Sequence, residues 1–373
     1  MTSPYQRNTE PLPFDSELLT SLGPHEIPWR DRYNFLASKG YTLRPRYHPE
    51  WKASWLTNGE KMDDCEDFWR AHLRPSLLDA TRTADGATVY VKKVKTGDEE
   101  SHIARMLSSD ELRSDPSNHC VPILDYFQDD NDPSISYMVM PFLRPTDEPA
   151  FETVGNVIEF VDQILEGLVF MHHHRVAHRD CALPNIMMDA NAMFPQGFHP
   201  LQIYFLPDAK TVAFYKSRAN ISVRYYYVDF GLSSHFSSDI HPTEVTGIYG
   251  RDQDVPELSD NVPYNPFKTD IFIIGNMLRN EFYEKYSNVG FLLPLIESMM
   301  RHDPEERPDA SDALNLWREL RRNVWSAHSM WRLRERQESW LQFVILEDVA
   351  LVHCLWRAGR SIICLLTGNH YFV

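Results

Sequence analysis

Val176-Ala177-His178-Arg179-Asp180-Cys181-Ala182-Leu183-Pro184-Asn185-Ile186-Met187-Met188 is the stretch on which the reading of this chain turns. An apolar run leads in and another leads out, so a polar loop lies between two strand-like segments. Within it, His178-Arg179-Asp180 is followed after four residues by Asn185. Further on, Tyr225-Tyr226-Tyr227-Val228 runs into Asp229-Phe230-Gly231, a second carboxylate at the end of a strand-like run. Carboxylate and amide oxygens are the hard ligands that Mg²⁺ takes. A carboxylate in a loop can also accept a proton from a hydroxyl. The plainer alternative is that Asp180 and Asp229 are ordinary turn residues.

Around this stretch, the composition sets limits. A chain of 373 residues suffices for one two-lobed domain with extensions, or for two domains. At 43% hydrophobic it can bury a sizeable core. A net charge of −16 argues against a nucleic-acid partner, whose phosphates call for a basic surface. The five cysteines, Cys65, Cys120, Cys181, Cys354 and Cys364, are odd in number and lack paired spacing. They point to a reducing compartment without a disulfide framework or a zinc site. Met1-Thr2-Ser3-Pro4-Tyr5 carries no apolar signal segment. Glu347, Asp348, Arg357 and Arg360 break the apolar region from Leu341 to Val373, so it falls short of the ~18–20 residues that span a bilayer. An intracellular, cytoplasmic protein without a membrane partner is expected, and no internal repeat is visible.

The two loops together resemble the catalytic loop and the Asp-Phe-Gly turn of the eukaryotic-type protein kinases. The resemblance covers residues 76–325 and implies an α+β, two-lobed fold. A small β-rich lobe and a larger, mainly helical lobe would then flank a nucleotide cleft. It implies ATP and Mg²⁺ as cofactors. Asp180 would stand beside the accepting hydroxyl, and Asn185 and Asp229 would hold the metal. Val89-Tyr90-Val91-Lys92-Lys93-Val94 resembles the strand with the phosphate-binding lysine, which makes Lys92 a catalytic and nucleotide-binding candidate. Glu100, or next Glu99, would pair with Lys92. Met140 would guard the adenine pocket, and the Leu143 N–H would contact adenine. Val255-Pro256-Glu257, Asp270 to Gly275 and Asp303 to Pro308 resemble later marks of the family. They imply that Asp270 holds the catalytic-loop backbone and that Glu257 pairs with Arg307. The same marks separate the chain from aminoglycoside- and choline-type phosphotransferases. Gly40 to Tyr47 is similar to a segment of a fungal group of kinase-like proteins.

The expected organisation is an extension over 1–75, a small lobe over 76–142, a large lobe over 143–325 with an insertion at 189–224, and a tail over 326–373. Pro11, Pro13, Pro24 and Pro28 make the start irregular. The extension is rich in aromatic residues from Trp29 to Trp69 and is expected to pack on the core. Arg44, Arg46 and Trp51 read there either as a structural brace or as a peptide-docking surface. Leu77 to Thr83 and Ala87 to Val94 read as a hairpin turning at Asp85-Gly86. Asp98 to Ser108 and Val157 to His173 read as helices, and Ile135 to Met140 as a strand. The triplet His172-His173-His174 has no convergent fourth ligand. Leu232 to Asp254 would be the activation segment, with Ser233, Ser234, Ser237, Ser238, Thr243 and Thr246 as candidate phosphate carriers for Arg179. Trp331 to Arg336 is basic and read as helical.

Three departures temper the resemblance. No Gly-x-Gly-x-x-Gly precedes the lysine strand, so backbone cradling of phosphates is in doubt. Tyr90 stands where the family has alanine and faces the same side as Lys92, where it could fill the adenine pocket. Ala182 and Pro184 occupy the positions where a lysine or arginine would neutralise the γ-phosphate. The expected function is therefore Mg·ATP-dependent phosphate transfer to protein serine or threonine. The alternative is a pseudokinase that binds protein partners without catalysis.

Overall fold

The computed structural model describes residues 19–71, 75–237, 242–348 and 350, and the chain is mixed α+β. It divides into two units. The readings of Pro11, Pro13 and Ser238, and of the tail beyond 350, lie outside the described residues.

The first unit comprises the described residues up to Val94, then Tyr126–Phe142 and Gln196–Phe214. Its centre is a five-stranded sheet of β1 (Tyr41–Thr42), β2 (Leu77–Arg82), β3 (Thr88–Lys95), β4 (Asp125–Gln128) and β5 (Ile135–Pro141), ordered β1-β2-β3-β5-β4. The β2–β3 hairpin pairs Leu77 with Lys92 and Asp79 with Tyr90. Its turn needs the left-handed backbone of Gly86 (φ +73), and the Arg82–Asp85 ion pair closes it. Central β5 is buried from Ser136 to Met140, as a strand covered on both faces should be.

The segment expected as a separate extension enters this sheet through β1, which pairs with Thr81 and Arg82. Trp29, Phe35, Tyr41, Phe127 and Tyr137 form one ring cluster beside it. The stretch between β1 and β2 is pinned by ions. Arg46 is fully buried and bonds both oxygens of Glu26 at 2.5 and 3.0 Å. Arg44 bonds Asp79 of β2 at 2.8 Å. Asp67 accepts from Trp51 Nε1 and from the Ser54 amide. These arginines are a brace; with Arg46 buried, the docking alternative fails.

The second unit holds the helices. Asp98 caps α1 (Glu99–Leu107) by accepting from the Ser101 N–H at 2.9 Å. A Thr153/Asn156 capping box starts α2 (Val154–His173) three residues before the apolar periodicity does. In α3 (Pro266–Leu278) eleven of thirteen residues are buried, which makes it the unit's central helix. α4 (Leu293–Met299) and α5 (Ala310–Arg322) pack around it and α2. One sheet has the order β6 (Arg144–Pro145), β8 (Ile186–Asp189), β9 (Arg224–Tyr227). Two ribbons pair β7 (Val176–Ala177) with β10 (Ser234–His235) and β11 (Val245–Gly247) with β12 (Ser259–Tyr264).

Two expectations change. Trp331 to Arg336 is extended, not helical. Its backbone is spent on neighbours: the Trp331 carbonyl accepts from Val154, Leu333 donates to Glu152, and Ser287 donates to Arg334. Arg332 forks onto Glu338 at 2.7 and 2.8 Å, so the basic side chains are used across the strap. The expected insertion at 189–224 is folded but divided, with Gln196–Phe214 in the first unit and its flanks in the second. Among the described residues no helix is long and apolar enough to cross a membrane.

Candidate functional site

The loop between β7 and β8 is held from beneath by one carboxylate. Asp270 of α3, fully buried, accepts from the His178 N–H at 2.7 Å and the Arg179 N–H at 2.6 Å. Two convergent amide dipoles and the His172 ring at 3.0 Å compensate its burial. Arg179 is driven into a left-handed conformation (φ +65), which turns the chain so that Asp180 follows at the rim. The buried His178 links both loops: Nε2 donates to the Val228 carbonyl at 3.1 Å, and Nδ1 accepts from the Asp180 N–H at 3.3 Å. Burial pushes its pKa below the usual histidine value, so the ring is neutral and has this tautomer. Cys181 is also buried, and burial raises its thiol well above the usual range, which removes it as a nucleophile.

Asn185 is oriented by three bonds. Its Nδ2 donates to the Asp180 carbonyl at 2.9 Å and to Asp180 Oδ2 at 2.7 Å. Its own carbonyl accepts from the Val228 N–H at 2.9 Å. That last bond extends the β8–β9 ladder by one step and sets Asp229 beside the loop. The amide oxygen of Asn185 is buried and has no hydrogen-bond partner among the described residues. A buried acceptor without a partner is costly, about 1–3 kcal/mol, and calls for an explanation.

Asp229 is left-handed (φ +66, ψ +74), which ends the strand and starts the Phe230–Leu232 turn. A Cβ built on Gly231 would lie 3.4 Å from Asp229 Oδ1 and 3.7 Å from Glu100 Oε2. The two carboxylates therefore border the same glycine. The second unit thus brings together Asp180, Asn185, Asp229 and Glu100. Leu143, in the same unit, is buried.

Lys92 and Met140 belong to the first unit, half-buried on β3 and buried on β5. Tyr90, two residues before Lys92, stacks on Phe142 at 4.5 Å between centroids and 28° between planes. Phe142 in turn meets Phe198 at 5.6 Å. Tyr90 stands out in the sequence, but nothing local pairs it with rings so far along the chain.

Two residues escaped the sequence reading. Gly250 (φ +141) lets the segment after β11 approach the loop; a Cβ there would sit 3.3 Å from the Arg179 carbonyl. Arg251 follows and donates its N–H to Asp180 Oδ1 at 2.7 Å. Its Nε lies 3.8 Å from Oδ2. Only the glycine itself hinted at this approach. Arg179 reaches Ser234 Oγ at 3.3 Å and the Thr246 carbonyl at 3.0 Å.

Among the described residues no three His, Cys, Asp or Glu side chains gather as a metal group. The donor set at this loop is instead an amide oxygen and carboxylates. Compared with known proteins, the chain matches no protein-family model and no curated protein.

Proposed function

We propose that the chain is a protein-kinase-like phosphotransferase that moves the γ-phosphate of Mg·ATP to a protein serine or threonine hydroxyl, on a two-lobed kinase-like fold. The unpartnered, buried Asn185 oxygen carries this reading, held in place by the two Nδ2 bonds to Asp180. A hard oxygen kept open at this cost suits a Mg²⁺ ligand, with Asp229 as the second. The donor set fits one cation that takes its remaining oxygens from a nucleotide.

Bound Mg·ATP supplies the γ-phosphoryl group and an ADP leaving group. The rest falls to the chain. Asp180 orients the acceptor hydroxyl and takes its proton as the oxygen bonds to the γ-phosphorus; the electron pair of the broken bond leaves on ADP. Asn185 and Asp229 hold the metal. Lys92 and Glu100 are assigned to the phosphates, Met140 and Leu143 to adenine. The test is phosphate incorporation into a mixed peptide library. Asp180→Asn is expected to abolish incorporation while ATP binding survives. Equal incorporation by wild type and Asp180→Asn would place the activity elsewhere.

The second reading, a non-catalytic binding module, is favoured by the Tyr90–Phe142 stack. On that reading wild type binds no ATP, and Tyr90→Ala gains binding measurable by calorimetry. Binding by wild type that Tyr90→Ala leaves unchanged argues against it.

A further inference from the structure

We infer that Arg251 supplies the positive charge that the catalytic loop lacks, and that it does so from the activation segment; this rests on the phosphotransferase reading above. At Ala182 and Pro184 the loop has no cation to meet the charge that builds on a transferring phosphoryl group. The three residues come together in space: Ala182, Pro184 and Arg251 line the same surface groove of about 360 Å³.

The backbone is built for this approach. Gly250 adopts φ +141 and leaves room against the Arg179 carbonyl and Asp180 Oδ1. The next N–H then reaches Asp180 at 2.7 Å and fixes where the Arg251 side chain begins. The guanidinium stands 3.8 Å from Asp180 Oδ2. It donates no hydrogen bond to any described residue, and the side chain is 48% exposed. Its donors remain open, on the catalytic carboxylate's own side. An arginine stays charged at any working pH and binds phosphate oxygens through a planar fork. The charge therefore acts on the phosphoryl group during transfer, while Asp180 receives the hydroxyl proton.

The experiment compares wild type, Arg251→Ala, Arg251→Lys and the relocated charge Arg251→Ala/Ala182→Lys. Two readouts are used: steady-state phosphate transfer, and thermal stabilisation by Mg·ADP with and without aluminium fluoride, which mimics the transferring group. Arg251→Ala is expected to lower kcat on the order of a hundredfold with the KM for ATP unchanged. It keeps the Mg·ADP shift but loses the further shift from aluminium fluoride. Arg251→Lys and the relocated lysine each restore part of both. If wild type transfers phosphate and Arg251→Ala keeps both kcat and the fluoride-dependent shift, the inference is wrong and the phosphotransferase reading survives. If wild type shows neither transfer nor a Mg·ADP shift, both are wrong.

Discussion

Asp270 shows how much of this molecule depends on single buried groups. One carboxylate orders the backbone of His178 and Arg179 and thereby aims Asp180. The Arg307–Glu257 pair is another such buried group. Arg307 is fully buried and meets both carboxylate oxygens at 2.6 and 2.8 Å. Removing one partner strands the other charge, so Arg307→Ala should cost about 3–5 kcal/mol, read as a lowered urea midpoint. Histidines give the pH response. His178 and His119 are both held below the ordinary value of 6.5, by burial first. The unfolded chain binds these protons more readily, so the stability they confer is full above about pH 6.5 and drains as pH falls. The melting temperature should drop from about pH 7 to about pH 5, and drop less in His119→Gln. A flat profile would contradict the neutral, buried rings.

Elements were legible where local pattern and tertiary demand agree. The β2–β3 hairpin, α1, α2 and the strand into Asp229 follow from period, turn chemistry and caps, and the structure bounds them within a few residues. β1 was not legible, since two residues carry no period and its partners lie some forty residues on. The 331–336 strap was misread because helix-compatible residues there give their backbone to segments distant in sequence. Within the candidate site, Asp180, Asn185 and Asp229 were singled out by the resemblance of their two loops to the kinase motifs, and the structure places Asn185 on Asp180 and Asp229 just past the β8–β9 ladder. Arg251 was not, since only the folded approach of Gly250 brings it near. Close packing between α2 and β9 gives a test at this scale. A Cβ on Gly167 would lie 2.7 Å from His119 Cβ and 2.9 Å from Tyr227 Cε2. Ala is the better helix former by ~1 kcal/mol. Overpacking costs up to ~3 kcal/mol. Gly167→Ala should therefore lower stability by up to about 2 kcal/mol in chemical denaturation; a gain would mean the contact relaxes freely.

At the scale of the whole chain, the loop chemistry favours the proposed phosphotransferase, while Tyr90 and the missing glycine-rich turn pull against it. In the first unit the stretch between β1 and β2 is braced by the Arg44–Asp79 and Arg46–Glu26 ion pairs. In the second unit Asn185 Oδ1 is buried without a hydrogen-bond partner among the described residues, in one loop with Asp180 and beside the end of the β8–β9 ladder that leads to Asp229, the oxygen set proposed above to hold a metal. Whether that set works as a nucleotide–metal site is measured by thermal unfolding of the full chain, titrated with ATP with and without Mg²⁺. A ligand at about 100 times its Kd adds ~2.7 kcal/mol. Each kcal/mol raises the melting temperature of a domain of 150–250 residues by roughly 2–4 °C. The expected result is a rise of several degrees that requires Mg²⁺ and disappears in Asp229→Ala. A flat titration at millimolar ATP, or the same rise without Mg²⁺ and in Asp229→Ala, would contradict it.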